Sequence, residues 1–149
     1  MRVVSKDYDA AIVGAGPAGS CAALRLAEAG LKVLVVEQQK TIGETVQCAE
    51  FVPYILKKHV SLLDTDVAQK VQGIKTFIFG ELAHVMRAPG YTLNRSTWES
   101  YLADRAARAG AKVMTGVRAT DAGEGTVTLQ NGAGHATVSA DYIIGCDGP

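Results

Sequence analysis

At 149 residues, 48% hydrophobic and 20% charged, the chain has the length and composition of one ordinary globular domain, enough to bury about 68–70% of its unfolded surface. Fifteen basic residues balance fifteen acidic ones, so no net field recruits nucleic acid or an anionic membrane. Three widely spaced cysteines (Cys21, Cys48, Cys146) form neither a disulfide framework nor a metal-ligand pattern, and no run reaches the roughly 20 apolar residues of a membrane span.

The first element is an apolar strand, Ala10-Ala11-Ile12-Val13, inside a βαβ unit at about residues 8–37. The run is not expected to be a signal peptide, because Asp7 and Asp9 precede it and Gly14, Gly16 and Pro17 interrupt it. Gly14-Ala15-Gly16-Pro17-Ala18-Gly19 follows and opens a helical pattern from Pro17 to Ala29, which Gly30 ends in the left-handed conformation. A second apolar run, Val33-Leu34-Val35-Val36, ends on Glu37, eighteen residues after the third glycine. Strand, glycine turn, helix, strand and acid together make a dinucleotide-binding fingerprint in its required context. Gly14 permits the tight turn, Gly16 lets backbone approach a pyrophosphate, and Gly19 lets the helix pack close to the strand. The pyrophosphate would sit at the helix N-terminus, among Pro17, Ala18 and Gly19, where unpaired N–H groups and the helix dipole favour negative charge. Glu37, with Gln38 beside it, is placed to receive a ribose diol.

Residues 41–50 show no period and predict a loop carrying Glu44, Cys48 and Glu50. A short helix is expected over Phe51–Val60, starting near Pro53. Residues 71–80 and 82–88 are rich in β-branched and aromatic types with Gly80-Glu81 between them, which predicts a hairpin. Ser96-Thr97-Trp98-Glu99 reads as a capping box that starts a helix running to about Ala109 and stopping at Gly110. Arg95 precedes that helix, where the dipole gives a cation no reason to be. It is therefore expected to meet an anion, either a phosphate or a structural partner. Lys112-Val113-Met114-Thr115 predicts another strand of the sheet. Two or three antiparallel strands should follow, turned at Gly123-Glu124-Gly125 and Asn131-Gly132. The final strand, Tyr142-Ile143-Ile144-Gly145-Cys146, delivers Asp147-Gly148 at its end. Cys21 and Cys146 read as core cysteines. His59, His84 and His135 have no metal-site spacing and read as surface residues, so no metal is expected. Trp98, Tyr101 and Leu102 fall at helical spacing and read as packing.

The fingerprint with Glu37, the Tyr91-Thr92-Leu93-Asn94-Arg95 segment feeding a helix, and the closing Ile143-Ile144-Gly145-Cys146-Asp147-Gly148 occur in that order. Together they resemble the FAD-dependent enzymes of the para-hydroxybenzoate hydroxylase fold. Ile42-Gly43-Glu44 followed by Val46-Gln47-Cys48-Ala49-Glu50 is similar, within that group, to the geranylgeranyl reductase family. The resemblance implies an α/β fold: a Rossmann-like FAD/NAD(P)-binding domain with a parallel sheet, an antiparallel β-meander crossover, and a β-hairpin. That hairpin, in residues 71–91, would belong to the sheet of a substrate domain lying largely beyond this chain. Residues 1–149 would be the N-terminal, FAD-binding portion of a longer enzyme.

By the same resemblance Glu37 meets the adenosine ribose, Arg95 the phosphates and ribityl chain, and Asp147-Gly148 the pyrophosphate region. Cys48 lies near the flavin ring, as a catalytic or cofactor-contacting thiol or simply as a packed one. The implied activity is reduction of isoprenoid carbon–carbon double bonds, with NAD(P)H as reductant and a small-molecule or lipid substrate. A flavin-dependent aromatic monooxygenase and a nucleotide-binding module without turnover are the alternatives. A cytoplasmic protein is expected, without nucleic-acid partners. Peripheral membrane contact is open to it, as is self-association through the apolar hairpin at 71–88, whose Ile74, Phe77, Phe79, Val85 and Met86 lack cover.

Overall fold

A computed structural model describes residues 6–44, 49–132 and 134–148. The chain divides into two compact units, one of residues 1–44 with 99–149 and the other of residues 45–98.

The first unit is built on β1 (Tyr8–Val13), α1 (Pro17–Glu28) and β2 (Val33–Glu37). β1 and β2 pair in parallel, Ala10 opposite Val33 through Val13 opposite Val36. Their near-continuous apolar character is that of strands covered on both faces, and Ile12, Val33, Leu34 and Val35 are at most 1% exposed. On one face Ile12, Val33 and Val35 pack with Ala23, Leu24 and Ala27 of α1 and with Ala106. On the other, Ala11, Leu34 and Val36 pack with Val117, Val127, Leu129 and Ala140. Leu34→Ala should therefore cost about 2–5 kcal/mol, read as a lower midpoint in urea with an unchanged slope. Gly30 follows α1 with φ +83°, as expected of a helix-ending glycine.

The chain returns to this unit through a long helix that starts in the other one, α2 (Arg95–Arg108). The strands β6 (Lys112–Thr115), β7 (Arg118–Gly123), β8 (Thr126–Asn131) and β9 (Gly134–Gly145) follow. Numbering β3 to β5 for the second unit, the sheet order is β6-β2-β1-β9-β8-β7. β6 is parallel to β2, as the 112–115 run predicts. β7, β8 and β9 form the meander. The sequence reading splits the last meander strand from the terminal one at 142–146, whereas the structure makes them a single strand. β9 is antiparallel to β8 over its first half, Gly134 to Ser139, and parallel to β1 from Ala140 to Gly145. Ala140 is fully buried at the change of partner, and its N–H donates to the Gly125 carbonyl at 2.9 Å. Nothing there interrupts extended backbone, so no turn signal exists. The Asp7 carboxylate accepts from both the N–H and the hydroxyl of Ser139, each at 2.9 Å, and these bonds hold its pKa below the usual carboxylate value.

The second unit carries a three-stranded antiparallel sheet in the order β3 (Phe51–Pro53), β5 (Glu81–Leu93), β4 (Val67–Ile78). The helix expected over 51–60 is instead this short strand followed by a 3₁₀ helix at Tyr54–Lys58. Phe51, Val52 and Pro53 pair with Thr92, Tyr91 and Gly90, and that pairing takes the residues a longer helix would need. Tyr54 packs on Tyr91 with ring centroids 4.6 Å apart. β4 and β5 are longer than expected and turn at Phe79-Gly80, one residue earlier than Gly80-Glu81. The capping box also shifts. α2 begins at Arg95, so Ser96 lies inside its first turn, and the Asn94 carbonyl accepts from the Trp98 N–H at 3.1 Å. Asn94 is held from the side by its own amide, which donates to the Thr65 carbonyl at 3.1 Å.

Candidate functional site

Three parallel strands, β2, β1 and β9, end side by side at the carboxyl edge of the six-stranded sheet. The Gly14 N–H donates to the Val36 carbonyl at 2.8 Å, and the Cys146 N–H donates to the Val13 carbonyl at 2.7 Å. The glycine turn after β1 is thereby fastened to the ends of both neighbours.

The three glycines of the turn are required for different reasons. Gly14 has φ +99°, and a Cβ there would overlap the Cys146 carbonyl. Gly19 lies in the first turn of α1, and a Cβ there would overlap the Gly14 carbonyl and come within 3.3 Å of the Cys146 Cβ. Both are demanded by the packing of the protein itself. Gly16 is not. Its φ of −64° and ψ of −174° suit any residue, and a Cβ on it would meet nothing within 4 Å. It occupies the N-cap position of α1, makes no side-chain cap hydrogen bond, and is followed by Pro17; the first turn holds no acidic residue. The helix end is therefore uncapped by any described side chain, with open space in front of it, which is the condition under which a helix N-terminus accepts an anion. The donor set and the space suit a dinucleotide pyrophosphate.

Glu37, at the end of β2, is half-buried. One carboxylate oxygen accepts from the Ala15 N–H at 2.9 Å and the other from the Gln39 N–H at 2.8 Å. It thus ties the glycine turn to the end of β2, a second task beyond the ribose contact expected from sequence. Each oxygen keeps a further acceptor site. A cleft of about 250 Å³ lies here, lined among others by Gly14, Glu37, Gln38, Arg118, Asp147 and Gly148. Asp147 is exposed and makes no hydrogen bond or ion pair with any described residue, so it does not act as a turn cap. Gly148 has φ +77°.

Of the candidate residues, the first unit brings together Gly14, Gly16, Pro17, Ala18, Gly19, Glu37, Gln38, Asp147 and Gly148. Arg95 opens α2 in the second unit, its guanidinium 5.8 Å from the centre of the Trp98 ring. Cys48 lies outside the described residues. Arg118 and Val117 were not legible as site residues. They reach the cleft because Gly116, at φ +68°, turns the chain after β6 and lets the Val117 N–H donate to the Glu37 carbonyl at 2.9 Å. A glycine immediately after a predicted strand was the available signal. Cys21 and Cys146 are half-buried rather than core residues. Burial pushes both thiols up, at Cys146 with the Asp147 charge adding to it, so neither is poised as a nucleophile. His59, His84 and His135 are all exposed, and no metal-binding cluster exists among the described residues. No helix among them is long and apolar enough to cross a membrane.

The FAD binding domain family matches residues 7–149. A digeranylgeranylglycerophospholipid reductase of Methanosarcina acetivorans is 38% identical over 95% of this chain, which spans 38% of that relative. An uncharacterized protein in the nifH2 5′ region of Methanosarcina barkeri is 36% identical, again over 95% of the chain, which here spans 83% of the relative. Among solved structures, a geranylgeranyl bacteriochlorophyll reductase-like protein of Thermoplasma acidophilum superposes with a TM-score of 0.80 at 28% identity. That superposition covers 95% of this chain and 39% of the other. With its strand–glycine–helix–strand–acid cleft and a match over residues 7–149, the chain belongs to the FAD binding domain family.

Proposed function

We propose that the chain binds FAD at the β2-β1-β9 edge as part of a flavin-dependent reductase of isoprenoid carbon–carbon double bonds. The observation that carries the binding reading is Gly16, a glycine that the protein's own backbone and packing do not need. The uncapped N–H groups at the start of α1, behind Ala18 and Gly19, receive the pyrophosphate. The remaining acceptor sites of Glu37 take the two ribose hydroxyls, and Gln38 flanks them. Asp147 and Gly148 approach the pyrophosphate region from β9. For the phosphates and the flavin ring the family resemblance offers Arg95 and Cys48 as candidates, Cys48 lying outside the described residues. When bound, the isoalloxazine supplies the hydride chemistry, and NAD(P)H is its reductant.

The relatives named as reductases of a digeranylgeranyl lipid support a long isoprenoid substrate over the aromatic ring of a hydroxylase. The purified chain should be yellow, with the two-banded visible spectrum of oxidised flavin. Under argon, the NADH- or NADPH-reduced form of the longer polypeptide should be reoxidised by a geranylgeranyl lipid. Reoxidation only by oxygen, with hydroxylation of a phenol, would replace the reductase reading by the hydroxylase one.

A relative of comparable length, of which the chain spans 83%, favours a second reading, a module that holds the nucleotide without turnover. In that case the yellow protein would exchange no electrons with either nicotinamide cofactor.

A further inference from the structure

The β4–β5 hairpin departs from local turn chemistry at one residue. Its two-residue turn has φ +50° at Phe79 and +85° at Gly80, a type I′ geometry that favours Asn-Gly. Phenylalanine instead holds the left-handed position and is wholly exposed. Phe77, Ile78 and Leu82 beside it are 52–59% exposed. A residue that violates its local preference without packing in return marks a position kept for function.

The placement of these side chains narrows what they meet. Directly paired residues share a face of an antiparallel ribbon, and successive residues alternate between faces. Phe77 pairs with Leu82 on one face, and Ile78 pairs with Glu81 on the other. The tip thus carries an apolar pair on one face, Ile78 beside Glu81 on the other, and Phe79 at its end. A neighbouring sheet would cover one face alone, whereas entry end-on into an apolar medium covers all three. Farther back the ribbon turns cationic. Strands β4 and β5 hold Lys70, Lys75 and Arg87 against a single acid, Glu81, in a chain that is neutral overall. Lys75 lies three residues from Ile78, roughly 10 Å at about 3.3 Å per residue. Interfacial segments bury their apolar parts about 5–10 Å into the headgroup–acyl boundary, so Lys75 would stand among the headgroups, with Arg87 behind it. The exposed Glu81 limits the entry to a shallow one.

We propose that the Phe77–Leu82 tip inserts into the interface of an anionic lipid bilayer, with Lys75 and Arg87 paired to headgroup phosphates and carboxylates. The proposal goes beyond the flavin reading, and its test needs no flavin.

The test is cosedimentation of the full chain with vesicles of 70% phosphatidylcholine and 30% phosphatidylserine, and with vesicles of phosphatidylcholine alone. Binding to the mixed vesicles should be at least fivefold stronger and should weaken with salt. Phe79→Asn supplies the residue the turn prefers, so thermal stability should hold or rise while partitioning falls at least tenfold. Lys75→Gln and Arg87→Gln should each cost about fivefold, and Glu81→Gln should strengthen binding. Equal partitioning of wild type and Phe79→Asn, or no partitioning of the wild type, would overturn the proposal. So would a lipid-free dimer in light scattering that Phe79→Asn dissolves, because the tip would then serve a second copy of the chain.

Discussion

Gly16→Val should fold as well as the wild type and bind almost no FAD. The branched side chain enters space that is empty in the protein and has a backbone conformation it readily adopts. Thermal stability should therefore stay within about 0.5 kcal/mol, the usual range for a surface change. The same side chain fills the approach to the α1 N-terminus, so affinity should fall at least ~100-fold, or about 2.8 kcal/mol. Gly19→Ala makes the contrasting case. Its methyl would overlap the Gly14 carbonyl, a backbone group that cannot swing aside, and should cost about 1–3 kcal/mol of overpacking, roughly 3–9 °C in Tm. Flavin fluorescence quenching and thermal melts on both variants separate the two kinds of glycine. A destabilised Gly16→Val that still binds FAD would remove the reason for placing the pyrophosphate there.

Glu37→Ala should lose on both counts, because the carboxylate ties the glycine turn to β2 and, in the proposed binding mode, offers its remaining lone pairs to the ribose. FAD affinity should drop by about 1–3 kcal/mol from unpaired ribose hydroxyls, some five- to 150-fold. Stability without flavin should fall as well, since the Ala15 and Gln39 N–H groups lose their acceptor. Glu37→Gln distinguishes the two roles. Its amide can accept from one of these N–H groups but presents a donor to the other, so part of the loss should persist in a side chain of the same size. Calorimetric titration with FAD, beside urea denaturation of the flavin-free protein, measures each part. An unchanged affinity in Glu37→Ala would take the ribose away from this residue.

How far the residues announced this arrangement depends on whether their signals were local. The βαβ unit was legible because strand runs, glycines and helix period all lie within thirty residues and agree. The 112–115 strand and the first meander turn were legible for the same reason, since Glu124-Gly125 turns with both φ positive, whereas Asn131 pairs with Gly134 as a residue of β8 instead of opening the second turn. Where tertiary pairing decided, the sequence was mute. Phe51–Pro53 is a strand because β5 lies beside it, and β9 runs unbroken because Ala140 changes partners without a turn. α2 starts two residues earlier than Ser96 suggests because Asn94, held by Thr65, takes the cap position. In the cleft the glycines and Glu37 were legible from spacing, whereas Arg118 arrives by a turn at Gly116 that only the folded sheet aims.

The register of β9 also bears on when the cleft can exist. Tyr8 pairs with Ala140, so the strand that carries Asp147 and Gly148 to the glycine turn joins segments more than 130 residues apart. The length-dependent entropy of closing such a loop is roughly 4 kcal/mol, and pairings of that separation form late and slowly. On the ribosome, α1 and the glycine turn can assemble long before β9 emerges, but the cleft cannot. The cofactor therefore meets a cleft whose strands are already paired, and acts as a clasp on that sheet rather than as a template for it.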